Sequence, residues 1–161
     1  MPRYFEKISY EQFNKDVNEN EKVYEEYILP KRSTKYSAGY DFFALTDFSI
    51  LPGEMKKIPT GIKVNMEKDD VLMLFVRSSM GFKYNIRMCN QVGILDSDYY
   101  NNPNNEGHIW VKLQNEGYQE YVVKKGDAIC QGVFTKYLIV DNEEEITHER
   151  VGGIGSTSKE N

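Results

Sequence analysis

Asp96 and Tyr99 stand three residues apart in the run Asn90-Gln91-Val92-Gly93-Ile94-Leu95-Asp96-Ser97-Asp98-Tyr99, just after an apolar stretch. A carboxylate and an aromatic ring at that spacing can hold a water against the one and a sugar against the other. Both residues also have plainer readings: Asp-Ser-Asp is good turn chemistry, and a tyrosine can simply fill a core. A second polar group, Arg77-Ser78-Ser79-Met80-Gly81, follows the apolar run Val71-Leu72-Met73-Leu74-Phe75-Val76. A strand ending there delivers hydroxyls and a guanidinium to a cleft, although a lone Arg-Ser-Ser is equally a solvated turn. Near the C-terminus, Gly152-Gly153-Ile154-Gly155-Ser156-Thr157 offers backbone amides unhindered by side chains, plus two hydroxyls. Such glycines let the backbone curl around phosphate oxygens. No Gly-Lys-Ser/Thr follows, so this is not a Walker A loop; standing alone, it reads as a flexible end.

Short strands are expected to position these groups. The six apolar residues from Val71 to Val76 suit a strand covered on both faces. Ile109, Val111 and Leu113 alternate with Trp110, Lys112 and Gln114, the period of a half-buried strand. Lys125-Gly126-Asp127 turns the chain into a further apolar strand over 128–134, and Pro52-Gly53 marks another turn. Regular turns between many short strands predict an all-β sandwich or barrel. Residues 1–20 read differently. Ser9 and Gln12 have capping-box spacing and Ile8 with Phe13 forms a hydrophobic staple, which predicts a helix over 10–17 outside the core. Residues 101–105 (Asn-Asn-Pro-Asn-Asn) read as an exposed loop.

Composition narrows the classes. The chain has 161 residues, enough for one domain with a real core. Its net charge of −5 argues against a general nucleic-acid or membrane-surface binder. Twelve Tyr and eight Phe favour β-structure. No stretch approaches signal-peptide or membrane-span length, which points to the cytoplasm. Cys89 and Cys130 read as buried free thiols, and His108 and His148 lack partners at metal-ligand spacing.

The three segments above, together with Ala38-Gly39-Tyr40-Asp41 and Gly126-Asp127-Ala128-Ile129-Cys130-Gln131, form an ordered set of five. That set resembles the five motifs of the homotrimeric dUTP pyrophosphatases (dUTPases), over residues 24–158. The resemblance implies a distorted jelly-roll, β-sandwich-like fold: an arm with a short helix over 1–20, the all-β domain over 21–147, and a flexible tail over 148–161. It also implies a homotrimer with sites at subunit interfaces, the tail coming from a neighbouring subunit.

By the same resemblance, Asp96 binds the 3′-hydroxyl and activates the water that attacks the α-phosphorus. Tyr99 packs under the deoxyribose and excludes a 2′-hydroxyl, while Asp98 is structural. Asn90 and Gly93 belong to the hairpin that reads the uracil edge. Ser78, with Ser79, engages the phosphates; Arg77 orients the site, paired with Asp41; Gln131 contacts a phosphate and helps orient the water. Arg150, Ile154, Gly155, Ser156 and Thr157 close over the triphosphate, which arrives with Mg²⁺ and needs no direct protein ligand to the metal.

Four departures stand out. Val76 replaces a usual Pro, and Asn101 a usual Gly. One residue is missing after Arg150, and Ile154 stands where the family has a Phe that stacks on the base. A ring elsewhere is expected to cover uracil, with His108 and Trp110 the candidates. The implied reaction is dUTP hydrolysis to dUMP and pyrophosphate. The alternatives are a dCTP deaminase of the same fold, or an added regulator-binding role for residues 1–20 and 101–105.

Overall fold

The apolar run around Leu72 lies at the centre of the structure. The computed structural model describes residues 2–155. In chain order its first half comprises β1 (Tyr4–Lys7), α1 (Tyr10–Asp16), α2 (Glu21–Glu26), β2 (Lys31–Arg32), β3 (Tyr40–Phe43), β4 (Phe48–Ile50), β5 (Met55–Pro59) and β6 (Ile62–Asn65). There follow β7 (Asp70–Phe75), α3 (Ser78–Tyr84), β8 (Ile86–Met88), β9 (Gly93–Asp96), a 3-10 turn (Ser97–Tyr99), β10 (Trp110–Asn115), β11 (Tyr121–Val123) and β12 (Ala128–Lys136). The strands form four antiparallel sheets, in the orders β2-β3-β12-β7-β9, β5-β10-β8, β1-β6 and β11-β4. They wrap one core as a distorted jelly roll. β7 lies between β12 and β9; Leu72 and Leu74, on one face, are buried, whereas Met73 and Phe75 on the other are only partly covered, so the expected cover on both faces is incomplete. On β10 the expected alternation holds, with Val111 and Leu113 inward and Lys112 exposed.

Three short helices interrupt the all-β pattern; α1 is expected, α2 is not, and α3 stands where Arg77-Ser78-Ser79 also reads as a turn. Asn20 caps α2 by accepting from the Val23 amide at 3.1 Å. α3 begins directly after extended Arg77 and ends at Asn85, whose left-handed φ of 54° terminates the helix. Gly81 inside α3 weakens the helical signal in the sequence.

The first 20 residues do not stand outside the core. β1 pairs with β6, and Ile8 and Phe13 are both fully buried. Truncating a phenylalanine this enclosed to alanine costs about 3–5 kcal/mol. Ser9 does cap α1, accepting from the Gln12 amide at 3.1 Å. The reciprocal half of the capping box is absent, because Gln12 Nε2 donates to Asp16 Oδ2 and the Ser9 amide donates to Glu106. Local spacing could not reveal a partner 97 residues away.

His108 ties α1 to the turn between β5 and β6. It is fully buried; the Gly61 amide donates to its Nε2 at 2.9 Å, so Nδ1 carries the proton and donates to Asp16 Oδ2 at 2.6 Å. A second proton on Nε2 would face the Gly61 N–H. Burial pushes the His108 pKa below its usual value, against the opposing pull of Asp16. As pH falls below about 6.5, the unfolded chain therefore takes up a proton that the folded one resists, and stability drops. The urea midpoint should fall between pH 7 and pH 5.5, with a slope of at most about 1.4 kcal/mol per pH unit. His108→Gln should flatten that dependence. An equally steep profile in the variant would assign it to another group.

Candidate active site

Asp96 is the last residue of β9, and the 3-10 turn that follows carries Tyr99 inward. The Tyr99 hydroxyl donates to the His108 carbonyl at 2.6 Å and accepts from Asn105 Nδ2 at 2.9 Å. Burial raises the phenol's pKa, which keeps that donor in place. Arg150 lies over this pair. Its Nη2 meets Asp96 Oδ2 at 2.8 Å, its Nε meets Asp98 Oδ1 at 2.7 Å, and its guanidinium stands 5.8 Å from the Tyr99 ring centre. Asp98, read as structural, is thus half of an arginine clamp. Arg150 sits on the carboxylates and not in the hydroxyl-lined pocket described below.

Asp96, Tyr99, Arg150, Asn90, Gly93, Ile154 and Gly155 all line one cavity of about 340 Å³. Trp110 and Gly153 complete its lining beside the apolar chains of β7 and β9. A neighbouring cavity of about 290 Å³ shares Asn90, Gly93, Trp110 and Ile154, and adds Cys89 and the ends of Lys57 and Lys112. Of the two rings expected to replace the missing Phe, Trp110 lines both cavities together with Ile154. His108 is enclosed in the core and faces neither. The expectation of two buried thiols holds for Cys130 alone; Cys89 is partly exposed.

A second cluster forms where β3, β12 and the start of α3 meet. Arg77 Nε pairs with Asp41 Oδ1 at 3.1 Å, and Gln131 lies opposite both Asp41 and Phe75 in the sheet. Gln131 Nε2 donates to the Val76 carbonyl at 3.2 Å. A Cβ on Gly39 would fall 2.1 Å from Gln131 Oε1, so the glycine leaves room for that carboxamide. Asp41, Arg77, Ser78, Ser79 and Gln131 line a cavity of about 300 Å³ together with Ser33 and Ser37. Sequence reasoning missed these last two serines. Their signal was a hydroxyl-rich run, Ser33-Thr34 and Ser37, directly ahead of the Ala38-Gly39-Tyr40-Asp41 motif.

The two clusters share no residue. Asp96 lies opposite Val71 at one end of β7, while Arg77 follows Phe75 at the other. At about 3.3 Å per residue, Val71 and Arg77 are on the order of 20 Å apart. The described part of the tail, through Gly155, lies over the Asp96 cluster of its own chain, with Gly152 and Gly153 buried. Ser156 and Thr157 fall outside the described residues.

The arrangement sets a carboxylate beside an aromatic ring in one place, and hydroxyls, a carboxamide and an Arg–Asp pair around a pocket in another. Comparison with known proteins bears directly on that chemistry. The dUTPase family model matches residues 25–158. The deoxyuridine 5′-triphosphate nucleotidohydrolase of Lactococcus lactis subsp. lactis is 47% identical over 130 residues, covering 80% of this chain and 87% of that one. A dUTPase from Streptococcus mutans superimposes with a TM-score of 0.69 at 38% identity, over 86% of this chain and 98% of that one. A mutant dUTPase from phage phi11 of S. aureus, whose structure details a structural Mg(II) ion, shares the fold. Its TM-score is 0.66 at 17% identity, over 92% of this chain and 98% of that one.

Proposed function

The chain belongs to the dUTPase family and hydrolyses dUTP, and from that premise we propose how its residues divide the work. Asp96 accepts a proton from the water that attacks the α-phosphorus, giving dUMP and pyrophosphate. Tyr99 supports the deoxyribose, and Asn90 and Gly93 meet the uracil edge. Ser78 and Ser79 bind phosphate oxygens, with Arg77 held in position by Asp41. Gln131 contacts a phosphate and orients the water. Most of the rate then comes from positioning and charge stabilisation, as phosphoryl transfer requires. The observation that carries this reading is the convergence of Asp96, Tyr99, Asn90 and Gly93 on one cavity.

The hydroxyls and carboxamide of the second cluster are hard oxygen donors, a set that suits Mg²⁺ carried on phosphate oxygens. When bound, the ion neutralises charge on the pyrophosphate leaving group.

A triphosphate joined to a sugar at Asp96 cannot span on the order of 20 Å to Ser78 of the same chain. A working site therefore combines the Asp96 cluster of one copy with the Ser78 cluster of another. A homotrimer with three such sites satisfies that requirement by cyclic symmetry. No helix among the described residues is long and apolar enough to cross a membrane. The two unpaired thiols support a reducing cytoplasm as the working compartment.

The reading is tested by pyrophosphate release across dUTP, UTP, dTTP and dCTP. Turnover confined to dUTP is expected, and ammonia release from dCTP would instead identify a deaminase. Trp110 provides the ring that Ile154 lacks. Trp110→Ala should raise KM for dUTP by about 5- to 100-fold, the range for a lost stacking ring. Ile154→Phe should change it little. A large gain from Ile154→Phe, with no loss from Trp110→Ala, would show that nothing stacks on the base.

A further inference from the structure

The loop joining Tyr99 to β10 does more than connect strands. Asn102 is buried, and its Nδ2 donates to the Tyr99 carbonyl at 2.8 Å and to Asn105 Oδ1 at 2.8 Å. Asn105 Oδ1 also accepts from the Gly107 amide at 3.1 Å. Two donors on that oxygen fix which way the carboxamide faces, so Nδ2 must point at Tyr99. The phenol has a single hydrogen, already given to the His108 carbonyl, and therefore accepts from Asn105. The ring is thus held from two sides. The same Nδ2 lies 2.8 Å from where a Cβ on Gly153 would stand, so the tail backbone packs directly on this amide. The loop is braced from behind, because the nearly buried Lys63 Nζ donates to Asn101 Oδ1 at 2.7 Å and pairs with Glu106 at 3.0 Å.

We propose that Asn105 is a positioning residue for sugar selection, holding the Tyr99 ring and seating the tail at Gly153 through one carboxamide. This rests on the reading of Tyr99 as the ring beneath the deoxyribose. A 2′-hydroxyl that displaces the ring also displaces Asn105, and with it the seat of the tail. A ribonucleotide is then rejected both by crowding and by failed closure.

Asn105→Asp isolates the contact. It keeps an acceptor for Gly107 and Asn102, but presents Tyr99 with an acceptor in place of a donor. The test is the specificity constant for dUTP and UTP in the full chain, with thermal unfolding in parallel, for the wild type, Asn105→Asp, Gly153→Ala and Tyr99→Ala. The dUTP/UTP ratio should fall at least about fivefold in Asn105→Asp, the factor set by one hydrogen bond. It should fall in Gly153→Ala as well. A merely structural role would lower stability and both constants together, and leave the ratio alone. If Tyr99→Ala lowers the ratio while Asn105→Asp keeps it within about twofold of wild type, the proposal is overturned and the Tyr99 reading stands. If Tyr99→Ala also leaves the ratio unchanged, both fall. Should Asn105→Asp fail to fold, an unchanged ratio in Gly153→Ala overturns the proposal from the tail side.

Discussion

Asp96→Asn is expected to lower kcat for dUTP by at least about 10²-fold, the low end of what a general base contributes. The substitution preserves shape while removing the proton acceptor, and it also takes away one of the two carboxylates that hold Arg150. Asp96 is the last paired residue of β9, held opposite Val71 through its backbone, and its side chain lines the cavity shared with Tyr99. Folding should therefore survive, and Arg150 keeps Asp98 as a partner. Affinity for a non-hydrolysable dUTP analogue should change only a few-fold, because Tyr99, Asn90 and Gly93 remain. Single-turnover kinetics beside analogue binding separates the two effects. Turnover within a few-fold of wild type would remove Asp96 from the chemistry.

The second large effect is expected from truncation after Arg150. The segment removed includes Gly153, which packs on Asn105, and Ile154, which lines both cavities with Trp110. Its loss opens the site to water and takes away backbone amides suited to phosphate. Losing one preorganised donor costs about 10²-fold or more in comparable sites, so kcat/KM should fall by at least that factor. The β-sheets contain none of the removed residues, so the thermal midpoint should stay close to that of the full chain. A truncated protein that unfolds would make the tail a structural element. One that works normally would exclude it from closure.

The strands around the site were legible because their periods are local. The apolar run of β7 and the alternation on β10 follow from the sequence alone, as does the Ser9 cap of α1. Legibility ended where a side chain's partner lies far along the chain. Nothing near Ser9 announces Glu106, and nothing near His108 announces Asp16, so the N-terminal segment read as an arm and His108 as a candidate ring over uracil. The Asn-rich stretch carried turn chemistry, which is present, since Asn101 adopts a left-handed φ of 54°. Burial of Asn102 and the contact of Asn105 with Tyr99 depend on the loop folding back over the cavity, which composition does not encode. Within the site, Asp96, Tyr99, Asn90 and Gly93 share one cavity, as their spacing suggests. The separation of Asp96 from Ser78 by the length of β7 becomes visible only once the register of β9 on β7 is known.

That separation carries the central claim, that each site is built from two copies of the chain. The direct measurement is complementation between two inactive variants, Asp96→Asn and Arg77→Ala, each assayed alone and after co-assembly in equal amounts. Random assortment places an intact Asp96 cluster against an intact Arg77 cluster in about a quarter of the sites of a cyclic assembly. The mixture should therefore recover dUTP hydrolysis to about a quarter of the wild-type rate, far above either parent. Activity no greater than the average of the two variants would mean that both clusters act within one chain, and would contradict the account.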